Sequence, residues 1–128
     1  IIRHGCDSIA LIGVENDGRP PFPERGDLTK AQAGLPSGIF KVLMSHDPTH
    51  WRRKVLPDTD IDLTLSGHTH AMQFRIGNFS PSMFLYHEWG GLYSEGERRL
   101  FVSTGTGGNI AYRWGAGPQI DVLVLRRK

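Results

Sequence analysis

One decapeptide, Ile61-Asp62-Leu63-Thr64-Leu65-Ser66-Gly67-His68-Thr69-His70, constrains this chain more than any other stretch. An apolar run of strand length ends in Gly-His-x-His. A strand end aims side chains at a fixed place, and the glycine lets the backbone turn sharply there. Side chains alternate along an extended chain, so histidines two positions apart can face the same way. Converging neutral imidazoles are what a divalent transition metal needs. A second motif, Ser45-His46-Asp47-Pro48, closes an earlier apolar run, Val42-Leu43-Met44. Together the two motifs point to metal-dependent hydrolysis.

The surrounding pattern converts them into one site. Ser8 to Val14 reads as a short buried strand. Glu15 to Gly26 is a loop, with Asn16-Asp17-Gly18 and Pro20-Pro21 as turn signals. Asp27 caps a short helix from Leu28 to about Ala33, stopped by Gly34. Phe40 to Ser45 is a second strand. Asp47 is a good N-cap, with Pro48 at the first helical position. That helix runs to about Lys54, carries Arg52, Arg53 and Lys54 in its last turn, and stops before Pro57. Ile61 to Ser66 is the third strand. A strand–helix–strand unit gives parallel neighbours, so His46 and His68 fall at the carboxyl ends of adjacent strands. Ligands bind along that edge in open α/β sheets. After His70 the helical signals stop. Leu100 to Thr104 and Ile120 to Leu125 read as strands between glycine-rich loops, a β meander.

Length and charge exclude several classes. The chain has 128 residues, one domain in size. Its net charge of +2 gives no argument for a nucleic-acid module, and its basic residues are scattered except for the helix end and the tail Arg126-Arg127-Lys128. Cys6 stands alone, which suits a reducing compartment. No run is apolar and long enough to span a bilayer, and no signal peptide is present. Sixteen glycines, eight prolines and a start at Ile1 suggest a fragment of something longer.

The candidate metal ligands are therefore His46, His68 and His70. Asp47 is assigned to the helix cap rather than to a metal. His50 is expected at the surface or behind the ligands. His87, in Tyr86-His87-Glu88-Trp89-Gly90, lies beside aromatics and is a weak substrate-binding candidate. Asp27 follows Pro23-Glu24-Arg25-Gly26 rather than an apolar strand, so it reads as a cap and not as a bridging carboxylate. The loop Thr104-Gly105-Thr106-Gly107-Gly108-Asn109 could line a phosphate pocket with backbone N–H groups, with Asn109 and Arg113 as further weak candidates. It lacks the lysine and following helix of a nucleotide P-loop. The stretch from Gly77 to Glu97 carries Phe79, Met83, Phe84, Tyr86 and Trp89, an apolar load that suits a lipid, a nucleobase or simple loop packing.

These motifs resemble the calcineurin-like metallophosphoesterase superfamily. Leu43-Met44-Ser45-His46-Asp47-Pro48 is similar to the family's fourth metal motif and Leu65-Ser66-Gly67-His68-Thr69-His70 to its fifth. Gly90-Gly91-Leu92-Tyr93, Leu100 to Gly105, Arg113-Trp114-Gly115 and Gln119 to Leu125 resemble a bacterial branch that is often membrane-anchored upstream. The resemblance implies the C-terminal half of an αββα sandwich. It implies that His46 and His68 ligate one metal and His70 the other, the ions being Mn, Fe or Zn. It implies hydrolysis of phosphomono- or phosphodiesters by a water activated between two metals. The family's bridging Asp, Asp-x-His pair and Asn-His pair belong to an N-terminal half; neither an Asp-x-His nor an Asn-His occurs in this sequence. The expected partners are a phosphate ester and that missing half. An uncovered strand edge and apolar face would also favour self-association. The expected location is cytoplasmic, or membrane-associated through an absent upstream segment. Two alternatives stay open at this point: a mononuclear three-histidine zinc hydrolase, and a non-catalytic metal-binding module.

Overall fold

The computed structural model describes residues 1–126, so the tail's Arg127 and Lys128 lie outside the described residues. Six strands form one mixed sheet: β1 (Ile2–His4), β2 (Asp7–Gly13), β3 (Phe40–Met44), β4 (Leu63–Ser66), β5 (Gly91–Glu95) and β6 (Arg98–Val102). Their spatial order is β1-β2-β3-β4-β6-β5. The four central strands run parallel, and β1 and β5 are antiparallel edges. Each edge strand is folded back by a two-residue hairpin, Gly5-Cys6 and Gly96-Glu97, whose glycines sit at φ +59°. A positive φ at the first loop position matches the twist of the flanking strands. Neither hairpin was anticipated from the sequence.

One face of the sheet is the core. Ala10, Ile12, Leu43, Leu100 and Val102 alternate onto it and are almost fully buried. Leu28 of helix α1 (Leu28–Gln32) and Trp51 and Val55 of a second helix pack on them. Asp27 caps α1, its Oδ1 accepting from the Lys30 N–H at 2.8 Å. The second helix, α2, winds as a π-helix over Trp51–Val55 and continues as an α-helical turn, Leu56–Asp58. It therefore passes Pro57 instead of stopping at Lys54. Proline lacks an N–H and crowds the carbonyl one turn back. Here the turn before it is widened, the Leu56 N–H reaching back to the Trp51 carbonyl, which makes room for the ring.

The opposite face is unlike that of a finished parallel sheet, which is normally covered on both sides. Leu11, Phe40, Met44 and Leu92 remain 44%, 41%, 49% and 63% exposed. The C-terminal segment departs from expectation in the same sense. Ile120 to Leu125 is not a strand, and Ile120 and Val122 are 87% and 85% exposed. Its alternating apolar residues have the period of a half-buried strand, but it pairs with neither edge strand, β1 or β5. The segment is tied down near its start, the Gln119 N–H donating to the Gly105 carbonyl at 3.1 Å and the Ser103 hydroxyl to the Asp121 carboxylate at 2.5 Å.

Candidate metal centre

The β3–β4 ladder does not end with the strands. The Ser45 N–H donates to the Leu65 carbonyl at 3.0 Å, and the Gly67 N–H donates to the His46 carbonyl at 3.1 Å. These bonds carry the parallel register past the strand ends and bring the two histidine motifs side by side. His68 Nδ1 lies 3.0 Å from His46 Nε2, with the rings edge to face and their centroids 4.9 Å apart. His68 Nε2 lies 2.8 Å from the Tyr86 hydroxyl. Burial lowers the His68 pKa; Asp47 opposes this, and the neighbouring His46 and His70 reinforce it. The imidazole is thus kept neutral, the form that ligates metals.

Gly67 is not the hinge. The left-handed residue is His68 itself, at φ +70°. Thr69 returns to a right-handed conformation, and then His70, Ala71, Met72 and Gln73 are left-handed in succession, at φ +48°, +51°, +45° and +59°. The chain between the two histidines is coiled rather than extended, so the alternation argument fails. His68 turns to His46, whereas the His70 Nδ1–H donates to the Thr104 carbonyl at 3.2 Å, just beyond β6. A carbonyl can only accept, so this bond fixes the tautomer and leaves His70 Nε2 with a free lone pair.

Asp47 caps the turn entering α2, its Oδ1 accepting from the Thr49 N–H at 2.8 Å and the Thr49 hydroxyl at 2.6 Å. His50 is not at the surface. It is fully buried under the His46 motif, with Nδ1 2.8 Å from Ser45 Oγ and Nε2 3.5 Å from Asp17 Oδ2. Burial lowers its pKa; the Asp17 carboxylate opposes this, and Arg53 and Lys54 add to it. Asp17, read from the sequence as a turn residue, is also fully buried. It accepts from Lys54 Nζ and Arg53 at 3.0 Å each and from the Gly26 N–H at 3.2 Å. Burial alone would raise the Asp17 pKa, but Lys54, His50 and the Gly26 N–H hold it below the ordinary carboxylate value. The basic end of α2 thus pins a loop as well as suiting a helix C-terminus.

The weak candidates stand apart from the histidine pair. The His87 side chain is 77% exposed and pairs with Glu88 at 2.7 Å. The Arg113 guanidinium donates to the carbonyls of Ala116, Thr104 and Gly107, which makes it a clasp for the glycine-rich loop. The Asn109 N–H donates to Gln73 Oε1. Gln73 spans the same loop, its Nε2 donating to the Ile110 and Tyr112 carbonyls. Sequence reasoning missed Tyr86 and Thr104 as the partners that orient the histidines. Tyr86 was visible only as one aromatic among several, and a backbone carbonyl leaves no sequence signal.

Two convergent imidazoles are a donor set that suits a divalent ion; at 3.0 Å the His46 and His68 nitrogens are in hydrogen-bond contact, closer than the ~3.4 Å of two tetrahedral ligands at ~2.1 Å. Among the described residues no group of three or more His, Cys, Asp or Glu side chains gathers closely enough to hold an ion.

Comparison with known proteins shows the family. The chain is 35% identical to a bovine transmembrane protein with a metallophosphoesterase domain, over 97% of the chain and 29% of that protein. It is 38% identical to a metallophosphoesterase of Campylobacter jejuni, over 80% of the chain and 26% of that protein. It is 29% identical to a phosphodiesterase of Escherichia coli, over 78% of the chain and 39% of that protein. The chain belongs to the metallophosphoesterases, a family of metal-dependent hydrolases of phosphate esters. It spans between 26% and 42% of the length of the curated relatives that it matches. No protein-family model matches it, and no solved structure matches it significantly. Among the described residues no helix is long and apolar enough to cross a membrane.

Two predictions follow from the centre's construction. Met72 is half-exposed and left-handed, a conformation that costs roughly 1–2 kcal/mol per non-glycine residue. Met72→Gly should raise stability in urea unfolding by about 1 kcal/mol, against the usual sense of a glycine substitution; a loss of stability would contradict the strain. His50 in the folded chain takes up a proton less readily than in the unfolded chain, where its ordinary value is 6.5. Its contribution is complete above that pH and is lost as pH falls toward the lower folded-state value. Unfolding measured from pH 7 down to about 5 should therefore show a shallower loss of stability in His50→Gln than in the wild type; equal slopes would contradict the buried neutral imidazole.

Proposed function

We propose that this chain is the C-terminal portion of a phosphoesterase domain in which His46 and His68 ligate one divalent ion and His70 ligates a second. The observation that carries the reading is the convergence of His46 Nε2 and His68 Nδ1 at 3.0 Å on the carboxyl edge of adjacent parallel strands. The candidate ions are Mn, Fe and Zn, all of which accept imidazole. When bound, such ions polarise a phosphoryl oxygen and acidify water.

The chain's own residues prepare that chemistry. The Tyr86 hydroxyl, 2.8 Å from His68 Nε2, holds the ring so that Nδ1 faces His46. Thr104 does the same for His70 through the opposite nitrogen. Asp47 Oδ1 in this chain is engaged by Thr49, and the resemblance assigns the family's bridging carboxylate to an N-terminal half. Its charge would offset the repulsion between two closely spaced cations. A phosphomono- or phosphodiester is the substrate class that the relatives' names support.

Zinc titration by calorimetry tests the ligands. We expect one ion per chain, weakened at least about tenfold in His68→Ala; a binding heat unchanged in that variant, or no binding at millimolar zinc, would contradict the assignment. The open apolar face, with Leu11, Phe40, Met44 and Leu92 exposed, also supports self-association of the isolated chain. Light scattering should give a mass that rises with concentration, and a constant monomer mass would contradict it.

A further inference from the structure

The loop between β2 and α1 has no role in the centre as described, yet it is built with a buried charge at its root. Asp17, with its partners on α2, fastens the loop beside His50. Removing one partner from a buried ion pair is strongly destabilising, so such a root holds its loop in one position. What it presents is a short wall opposite Tyr86. The Arg19 guanidinium lies 5.6 Å over the Tyr86 ring and donates one N–H to the Leu85 carbonyl at 2.8 Å. The Phe22 ring, half of it open to solvent, stands edge to face with His68 at 6.4 Å. Gly18 permits this approach, since a Cβ there would fall 2.7 Å from the Phe22 Cβ.

Between the loop and Tyr86 is a cleft of about 390 Å³ lined by Arg19, Pro20, Phe22, Asp47 and Tyr86. It adjoins the metal-binding edge directly, because Tyr86 at its floor touches His68. The size suits a small organic group. The lining combines two aromatic rings and a proline with a guanidinium that keeps further N–H donors after its one backbone bond. Asp47, at the inner end, has its carboxylate engaged by Thr49.

We propose that this cleft is the subsite for the alcohol part of the phosphate ester, that it selects a flat unsaturated ring stacked against Phe22 and Tyr86, and that Arg19 holds a phosphoryl oxygen. The inference rests on the phosphoesterase reading for the position of the phosphoryl group. Arg19 and Phe22 are then specificity residues, and loop 15–26 is the element that sets the substrate class. An aliphatic ester would leave the aromatic walls partly wet and gain less.

The test uses two non-hydrolysable probes, phenylphosphonate and methylphosphonate, titrated into this chain with and without zinc and followed by amide NMR. We expect the phenyl compound to bind about tenfold more tightly than the methyl compound. Phe22→Ala should abolish that preference, and Arg19→Gln should weaken both probes by about tenfold. Equal affinities in the wild type, a preference that survives Phe22→Ala, or binding of neither probe would each overturn the subsite. The underlying reading fails separately. A phenyl preference without any zinc binding leaves the subsite standing and removes the metal centre, whereas zinc binding through His68 without a phenyl preference does the reverse.

Discussion

The centre depends on the parallel pairing of β3 and β4 continuing one step beyond both strands. The Gly67 N–H bond to the His46 carbonyl closes that last step. Without it, the two histidine motifs would be loops on a common edge with no fixed separation. With it, His46 and His68 are held in register by the same ladder that holds Val42 against Leu63. Backbone pairing is thus converted into ligand geometry, and the buried face beneath, with Leu43, Leu100 and Val102, keeps the strands from sliding. The third strand end contributes by a different route. The carbonyl of Thr104, just past β6, orients His70.

Beneath this edge lies a second layer of control made of charge. Buried Asp17 and His50, with the partly exposed Arg53 and Lys54, form a cluster that joins the loop after β2 to α2. Ser45, adjacent to His46 in the chain, hydrogen-bonds His50. The cluster therefore touches the edge proposed to bind metal on one side and the loop proposed to face substrate on the other. An apolar core could not do this, because only directional bonds reach both a strand end and a loop wall. The left-handed run from His70 to Gln73 fits the same picture. It is held by Gln73, whose side chain bonds four backbone groups of a single loop, at Asn109, Ile110 and Tyr112. Strain of this kind persists where surrounding bonds over-determine the backbone.

Much of the parallel half was legible in the sequence. Short apolar runs gave β2, β3 and β4, and Asp27 and Asp47 gave their caps, because these signals are local. The juxtaposition of His46 and His68 followed from topology alone. The failures were of two kinds. Where the backbone leaves the extended or helical regions, period arguments lose their force, which is why His70 bonds the Thr104 carbonyl while His68 turns to His46, and why α2 passes Pro57. Where a residue's role is fixed by a distant partner, no local signal exists. Asp17 looks like any turn aspartate until Lys54 and Arg53 are brought to it. His50 could be placed only as a surface residue or one behind the ligands, because its partners, Ser45 and Asp17, come from different elements. Ile120 to Leu125 has the pattern of a strand and is left without a partner, as a pattern states a preference for a face and not the presence of one.

Nitrogen-15 NMR of the imidazole side chains during a zinc titration tests the central claim most directly. The account predicts that the His70 ring carries its proton on Nδ1 before metal is added. It predicts that the first changes on zinc addition fall together on His46 Nε2 and His68 Nδ1. Simultaneous loss of both nitrogens' free signals would establish the pair as one binding position. Changes confined to the exposed His87 or His4, with the His46 and His68 signals unmoved, would contradict it.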